Sequence, residues 1–164
     1  MTERSGVLVI GASAIDTKGT ADQRVTLGMM NAGRIRVHVG GVARNIAENL
    51  ARLGVPTTLL SVVGEDEAGA EILAYTANSG VDVSQVLRVR GADTATFVSL
   101  HDADGTRILA MYDMHIMTHL TARYVYERRR FFQQAAMVVI DANLSERTLQ
   151  TVFSLAQRFD VPVC

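Results

Sequence analysis

The chain has 164 residues, of which 48% are hydrophobic and 20% are charged, and its formal net charge is −1. This composition is typical of one globular domain, and it excludes a disordered chain and a globally basic protein that recruits nucleic acid or membrane by its charge. The one cysteine, Cys164, excludes an internal disulfide framework and favours the cytoplasm, and no apolar run reaches the roughly 20 residues of a membrane span.

The first predicted strand is followed by a carboxylate. Residues 6–10 form an apolar run that ends at Gly11, which is typical of a buried strand, and Asp16 comes shortly afterwards. No helix pattern follows, so helix capping does not explain Asp16. Because ligands bind at the carboxyl ends of strands in open α/β sheets, Asp16 is a candidate binding residue.

Residues 17–39 are polar and contain several glycines. They show weak strand character near 24–27 and a clear alternating strand pattern over 33–39. A connection this long is usually functional or mobile, so we interpret the segment as a flap.

Gly40 and Gly41 separate this strand from a helix pattern that Gly54 closes. Paired glycines let a ligand approach the backbone, and a helix N-terminus offers free N–H donors. The helical wheel predicts one buried face, made of Val42, Ile46, Leu50 and Leu53. It predicts a solvated ladder on the opposite face, made of Arg44, Glu48 and Arg52. Asn45 lies on the border between the faces, above the glycine turn.

The rest of the chain alternates strand and helix patterns. Further strands are predicted at 57–63, within 81–89, at 95–100, 106–112 and 136–140. Helices are predicted after three capping residues, over 67–79 after Asp66, to about 134 after Thr121, and after Ser145. This order predicts a three-layer αβα fold with a mostly parallel sheet, in which the 95–112 hairpin and the flap are the antiparallel exceptions. An apolar run at 161–164 resembles the opening of a buried strand, so we expect a truncated domain.

Several familiar sites are not supported by the residues. Neither G-x-G-x-x-G after the first strand nor a P-loop motif occurs. His115 and His119 have metal-ligand spacing but no evident third ligand, so no metal site is predicted. Residues 128–130, three arginines, are more typical of a solvated helix face than of a nucleic-acid site, and Cys164 is more typical of packing than of a nucleophile.

The better candidates are polar residues that follow strands, namely Asp16, Gly40, Gly41, Asn45, Asp141 and Asn143. Asp accepts hydrogen bonds and Asn both donates and accepts them, so this set suits several hydroxyl groups. The residues therefore favour a polyol-binding site, while a plain capped helix remains the alternative.

At these positions the sequence resembles the ribokinase (PfkB-type) carbohydrate kinase family. The resemblance rests on Gly40-Gly41-x-x-x-Asn45, Gly54, Val63-Gly64-Glu65-Asp66 and Gly69. Asp16, the turn at 102–105 and the stretch 141–143 occur in the family's order. The stretches 40–45, 112–114 and 141–144 look most like the pseudouridine kinase branch.

The resemblance implies transfer of the γ-phosphate of ATP, with Mg²⁺, to a hydroxymethyl group of a sugar or nucleoside, here the 5′-hydroxyl of pseudouridine. It implies that the sugar is held by Asp16, Gly40, Gly41, Asn45 and Asn143. It adds further base-side or sugar-side contacts from Lys18, Arg44 and Asp113. Segment 17–39 would be a β lid, which in many members pairs subunits into a homodimer.

Two departures from the family concern Ala14, where many members carry Asn, and Ala68, where an aromatic residue is usual. The second family signature, with the general base and the anion hole, is expected beyond Cys164, together with most of the ATP site. A chain without these groups is expected to be inactive by itself. The alternative function is a non-catalytic sugar- or nucleoside-binding or dimerisation module.

Overall fold

The structure is a computed structural model that describes residues 4–164. Its strands are β1 (Val7–Ile10), β2 (Ala14–Ala21), β3 (Gly33–Gly40), β4 (Thr57–Leu60), β5 (Val62–Gly64), β6 (Leu87–Val89), β7 (Thr96–His101), β8 (Arg107–Asp113) and β9 (Met137–Ile140). Its α-helices are α1 (Val42–Arg52), α2 (Glu67–Asn78), α3 (Ala122–Glu127), α4 (Arg129–Gln134) and α5 (Glu146–Arg158). A 3₁₀ helix spans His115–His119.

The body of the molecule is a parallel sheet in the order β4-β1-β9, with helices on both faces. Side chains of β1 alternate between these faces, as a strand requires. Leu8 packs with Phe132 and the helices of the 120–158 region, whereas Val9 packs with Ala43 and Ala47 of α1. The predicted layered α/β fold is therefore confirmed.

A second sheet, which we call the lid sheet, has the order β3-β2-β7-β8. β3 pairs antiparallel with β2, β2 parallel with β7, and β7 antiparallel with β8, so the predicted hairpin is confirmed. The predicted strand at 33–39 is also confirmed. The weak strand near 24–27 is wrong, because the Asn31 side chain bonds the backbone of Thr26 and Met29 and holds this stretch as a loop.

Two predicted elements are divided in the structure. The apolar run 57–63 forms two strands, because the chain leaves the central sheet at buried Ser61 and pairs next with β6. The predicted helix after Thr121 is two short helices that meet at Arg128. Among residues 4–164, no helix combines the length and apolar character that a membrane crossing requires.

The predicted faces of α1 are wrong at Val42, Leu53 and Arg44, whereas Ile46 and Leu50 are half-buried against the core as expected. Val42 and Leu53 are 57% and 80% exposed, whereas Arg44 is only 3% exposed. The part of α1 that is fully buried against the central sheet is made by Ala43 and Ala47, with Ile46 and Leu50 half-buried beside them. Arg44 lies beside that face and is therefore buried with it.

Candidate substrate site

The glycine pair lies directly against the start of β2. A Cβ atom on Gly40 would overlap the carboxylate of Asp16, and one on Gly41 would lie 2.5 Å from the backbone oxygen of Ala12. Gly41 also has a φ of 94°, a left-handed conformation that favours glycine. The pair is therefore required by the close approach of two chain segments, and it places Asp16 over the start of α1.

Asp141 joins the three segments that form this edge of the sheet. Its Oδ2 atom accepts hydrogen bonds from the backbone N–H of Ala12 at 2.8 Å and of Ala43 at 3.3 Å. Its Oδ1 atom accepts one from Asn143 at 2.9 Å. The predicted free N–H donors at the start of α1 are thus partly used internally. Sequence reasoning grouped Asp141 with Asn143 but missed this positioning role, for which the only local signal was a carboxylate after a strand.

Asp16 is half-buried between an imidazole and a guanidinium group. His38 lies opposite it on β3, and Arg44 approaches from α1. Burial raises the pKa of the Asp16 carboxyl above its ordinary value of 3.8, and the positive charges of Arg44 and His38 act in the opposite direction. The arrangement keeps a strong hydrogen-bond acceptor at the mouth of the site.

Arg44 supports the glycine turn from beneath. Its Nε atom donates to the backbone oxygen of Gly40 at 3.1 Å, and its guanidinium pairs with Glu48 at 2.6 Å. The Arg44 guanidinium also donates to Oδ1 of exposed Asn45. The amide NH₂ group of Asn45 is therefore the part of this side chain that can bind a ligand. Arg44 therefore acts on the site by orienting other groups.

The structure brings some predicted residues together and separates others. Lys18 shares the Asp16 face of the lid sheet, two residues further along β2. Asn143 is exposed in the loop after β9, at the same edge as Asp141. Asp113 aligns with Thr96 and Ile15, on the opposite face from Asp16, and its carboxylate accepts hydrogen bonds from His115.

An aromatic row that the sequence did not reveal extends from Asp16 across the lid sheet. Asp16 aligns with Phe97 on β7, and Phe97 aligns with Tyr112 on β8. Directly aligned residues share one face of a sheet, and the Tyr112 side chain is 74% exposed. This face therefore offers a carboxylate next to flat aromatic groups.

The described residues do not fit a metal site. No group of three or more His, Cys, Asp or Glu side chains within residues 4–164 is placed to hold an ion. We therefore assign no residue of this stretch to Mg²⁺.

Comparison with known proteins identifies the family. Residues 4–164 match the sequence model described as pfkB family carbohydrate kinase. This chain belongs to that family. It is 39% identical to pseudouridine kinase of Escherichia coli, over 99% of this chain and 51% of that protein. It is 27% identical to guanosine-inosine kinase of Exiguobacterium acetylicum, over 96% of this chain and 52% of that protein.

Solved structures that are similar to this chain confirm the ribokinase-like fold. A carbohydrate kinase from Agrobacterium tumefaciens matches with a TM-score of 0.83 at 25% identity, over 96% of this chain and 52% of that chain. Ribokinase of Arabidopsis thaliana, complexed with ribose and ATP, matches with a TM-score of 0.87 at 19% identity. The match covers 98% of this chain and 53% of that chain. The chain spans about half the length of the curated relatives it matches first.

Proposed function

We propose that this chain is the substrate-binding part of an ATP- and Mg²⁺-dependent kinase, and that the full-length protein phosphorylates the 5′-hydroxyl of pseudouridine. The observation that carries the proposal is the packing of Asp16 against Gly40, with Gly41 against the backbone of Ala12, at the carboxyl edge of the sheet. The 39% identity to a pseudouridine kinase supports the choice of substrate. Phosphoryl transfer itself would depend on residues outside 1–164.

Each residue of the site has a distinct task in this proposal. Asp16 accepts hydrogen bonds from sugar hydroxyls, while Asn45 and Asn143 add amide groups at the same edge. Arg44 and Asp141 bind no substrate in this view, because their polar atoms already hold the glycine turn and the strand ends. Their rigidity orients the sugar, and orientation is the main protein contribution to phosphoryl transfer.

The aromatic row favours a nucleoside over a simple sugar. Tyr112 lies two strands from Asp16, a separation of about 10 Å at the usual strand spacing. A nucleobase attached to a sugar at Asp16 reaches this distance. Stacking of a base on an aromatic side chain contributes about 1–3 kcal/mol, which makes Phe97 and Tyr112 suitable contacts for the uracil ring.

The decisive experiment compares substrates with the full-length gene product, ATP and Mg²⁺. We expect turnover of pseudouridine, with less turnover of uridine and ribose. Tyr112→Ala should raise KM for pseudouridine by about tenfold, because a stacking contact is lost, and should leave KM for ribose unchanged. The matched control is Tyr126→Ala, an exposed tyrosine of α3. Absence of turnover with all three compounds would refute the proposed function.

A non-catalytic binding or dimerisation module is the second candidate. It is favoured by the face of the lid sheet opposite Asp16, which we call the apolar lid face. Its exposed side chains include Ile35, Val37, Leu100, Leu109 and Met111. Patches of this kind mark protein contacts, so we propose a homodimer through this face. Binding of pseudouridine without ATP consumption by the full-length protein would favour the module over the kinase.

A further inference from the structure

A groove on the polar face of the lid sheet carries an excess of positive charge. It has a volume of about 420 Å³ and lies between β2, β3 and the hairpin turn, with Lys18, Arg34, Arg36, Asp22 and Ala103 in its walls. The ion pairs found within residues 4–164 do not include Lys18, Arg34 or Arg36. Three cationic groups therefore face one carboxylate in a small volume.

The strand register forces two of these cations together. Lys18 on β2 lies directly opposite Arg36 on β3, where Cβ atoms are about 4.5–5.5 Å apart. Arg34 lies two residues before Arg36 on β3, on the same face of the sheet. Like charges directly opposite each other destabilise a sheet, and an anion between the side chains would turn this repulsion into attraction.

The walls of the groove are held by hydrogen bonds. The Asp102 side chain in the hairpin turn accepts from the backbone N–H of Val25 at 2.9 Å, which ties the turn to the loop after β2. The backbone N–H of Asp22 donates to Ala32 at 3.0 Å and closes the base of that loop. The backbone around the groove is therefore fixed by internal hydrogen bonds, which lowers the cost of binding, while the three cationic side chains are exposed to a ligand.

We propose that this groove binds a phosphate group of a small molecule, at a place separate from the sugar site. Lys18 is two residues and Thr20 four residues from Asp16, about 7 and 13 Å along the strand. Arginine forks pair with phosphate oxygens through two parallel hydrogen bonds, and lysine adds a point charge. The phosphate is either free phosphate or an ester group on a sugar that lies at Asp16.

The test is calorimetric titration of the full-length protein with orthophosphate. We expect Arg34→Glu to raise Kd by about tenfold or more, because a charge-assisted hydrogen bond is replaced by repulsion, and Arg34→Gln to raise it less. The control Arg88→Glu makes the same charge change at an exposed residue of β6 and should shift Kd by less than about twofold. Unchanged affinity in Arg34→Glu, or no binding by the wild type, would overturn the proposal.

A second titration identifies the source of the phosphate. Ribose 5-phosphate and orthophosphate are each titrated with and without saturating pseudouridine. Competition with ribose 5-phosphate alone, together with weaker binding of ribose 5-phosphate by Arg34→Glu, assigns the groove to a substrate ester. Competition with neither ligand assigns the groove to free phosphate. Competition with both would overturn the separation from the sugar site. No turnover is measured, so failure of the kinase assay and failure of this proposal are distinguishable.

Discussion

Asp16, the proposed sugar-binding carboxylate, is placed where its charge costs stability. Its carboxylate packs against Gly40, and its burial disfavours the charged form. Arg44 and His38 recover only part of that cost, so the pKa stays raised above 3.8. A raised pKa means that the folded state holds the proton more tightly than the unfolded state does.

This pKa predicts a specific pH dependence. As pH rises from 3.8 through the raised pKa of Asp16, the folded state loses a proton that the unfolded state has already released, so the free energy of unfolding falls. Asp16→Asn should not show this fall in the free energy of unfolding. At a pH above the raised pKa of Asp16, the variant should therefore be more stable relative to the wild type. Urea denaturation of both full-length proteins from about pH 3.5 to about pH 7 measures this difference in stability.

The same variant should bind substrate poorly. Hydrogen bonds to a charged group contribute about 1.5–3 kcal/mol each, so kcat/KM should fall by about 10- to 100-fold. The control is Asp93→Asn, an exposed carboxylate outside the site. Asp16→Asn with wild-type kcat/KM would remove Asp16 from the binding site, whatever its effect on stability.

At the scale of elements, the start of α2 is tied to the start of β7. Asp66 caps α2 through the Gly69 N–H at 2.7 Å and also accepts from Thr94, from its N–H at 2.8 Å and from its hydroxyl at 2.6 Å. The Thr94 hydroxyl in turn accepts from the Gly64 N–H at 2.9 Å. The lid sheet is thereby anchored to the body by one carboxylate and one hydroxyl.

Removal of the Thr94 hydroxyl should weaken the connection between the lid sheet and α2. Thr94→Val leaves the buried N–H of Gly64 without its partner and should lower the free energy of unfolding by about 1–3 kcal/mol. Thr94→Ser keeps the hydroxyl and should lose much less. Denaturant unfolding of the full-length variants measures the difference, and equal stability of the valine and serine variants would show that the hydroxyl contributes nothing.

The anchor also has a pH signature. Burial would raise the pKa of Asp66, but the hydrogen bonds from Thr94 and Gly69 outweigh it and lower the pKa. A lowered pKa contributes stability above 3.8, which is lost as pH falls through the folded value. The loss of stability at acid pH should be smaller in Thr94→Val, because fewer hydrogen bonds then favour the charged form of Asp66.

At the scale of the whole molecule, the two faces of the lid sheet have opposite characters. One face carries Asp16, Lys18 and the aromatic row, and the other is the apolar lid face. Ile15 and Val39, near the body, pack against α2, but the apolar face continues beyond α2 into solvent. This exposed apolar surface is the observation on which the proposed homodimer rests.

A charge on the apolar lid face should therefore weaken the proposed dimer. Val37→Lys places a charge on a side chain that is 56% exposed in the single chain and would be desolvated in a dimer. We expect a higher monomer fraction by sedimentation analysis of the full-length protein. Phe153→Lys on α5, where the side chain is 51% exposed, is the matched control. Unchanged association in Val37→Lys would exclude this face as the interface.

Strand β2 and the approach of Gly40 to Asp16 came only from the structure. The sequence by itself determined most of the remaining order of strands and helices, the caps at Asp66, Thr121 and Ser145, and the glycine turn before α1. Each of these depends on residues within a few positions of one another, where propensity, capping and alternation act. The family followed from the same local motifs, since their residue types and spacing are read directly from the chain.

Only the tertiary structure decided which side of α1 is buried, where the run 57–63 divides, and which residues face Asp16. The burial of Arg44 depends on the sheet that α1 packs against, and the alignment of Phe97 and Tyr112 with Asp16 depends on strand register. Asp141 bonds Ala12 and Ala43 across long stretches of chain. Such contacts are set by packing between distant segments, and a short window of sequence does not contain them.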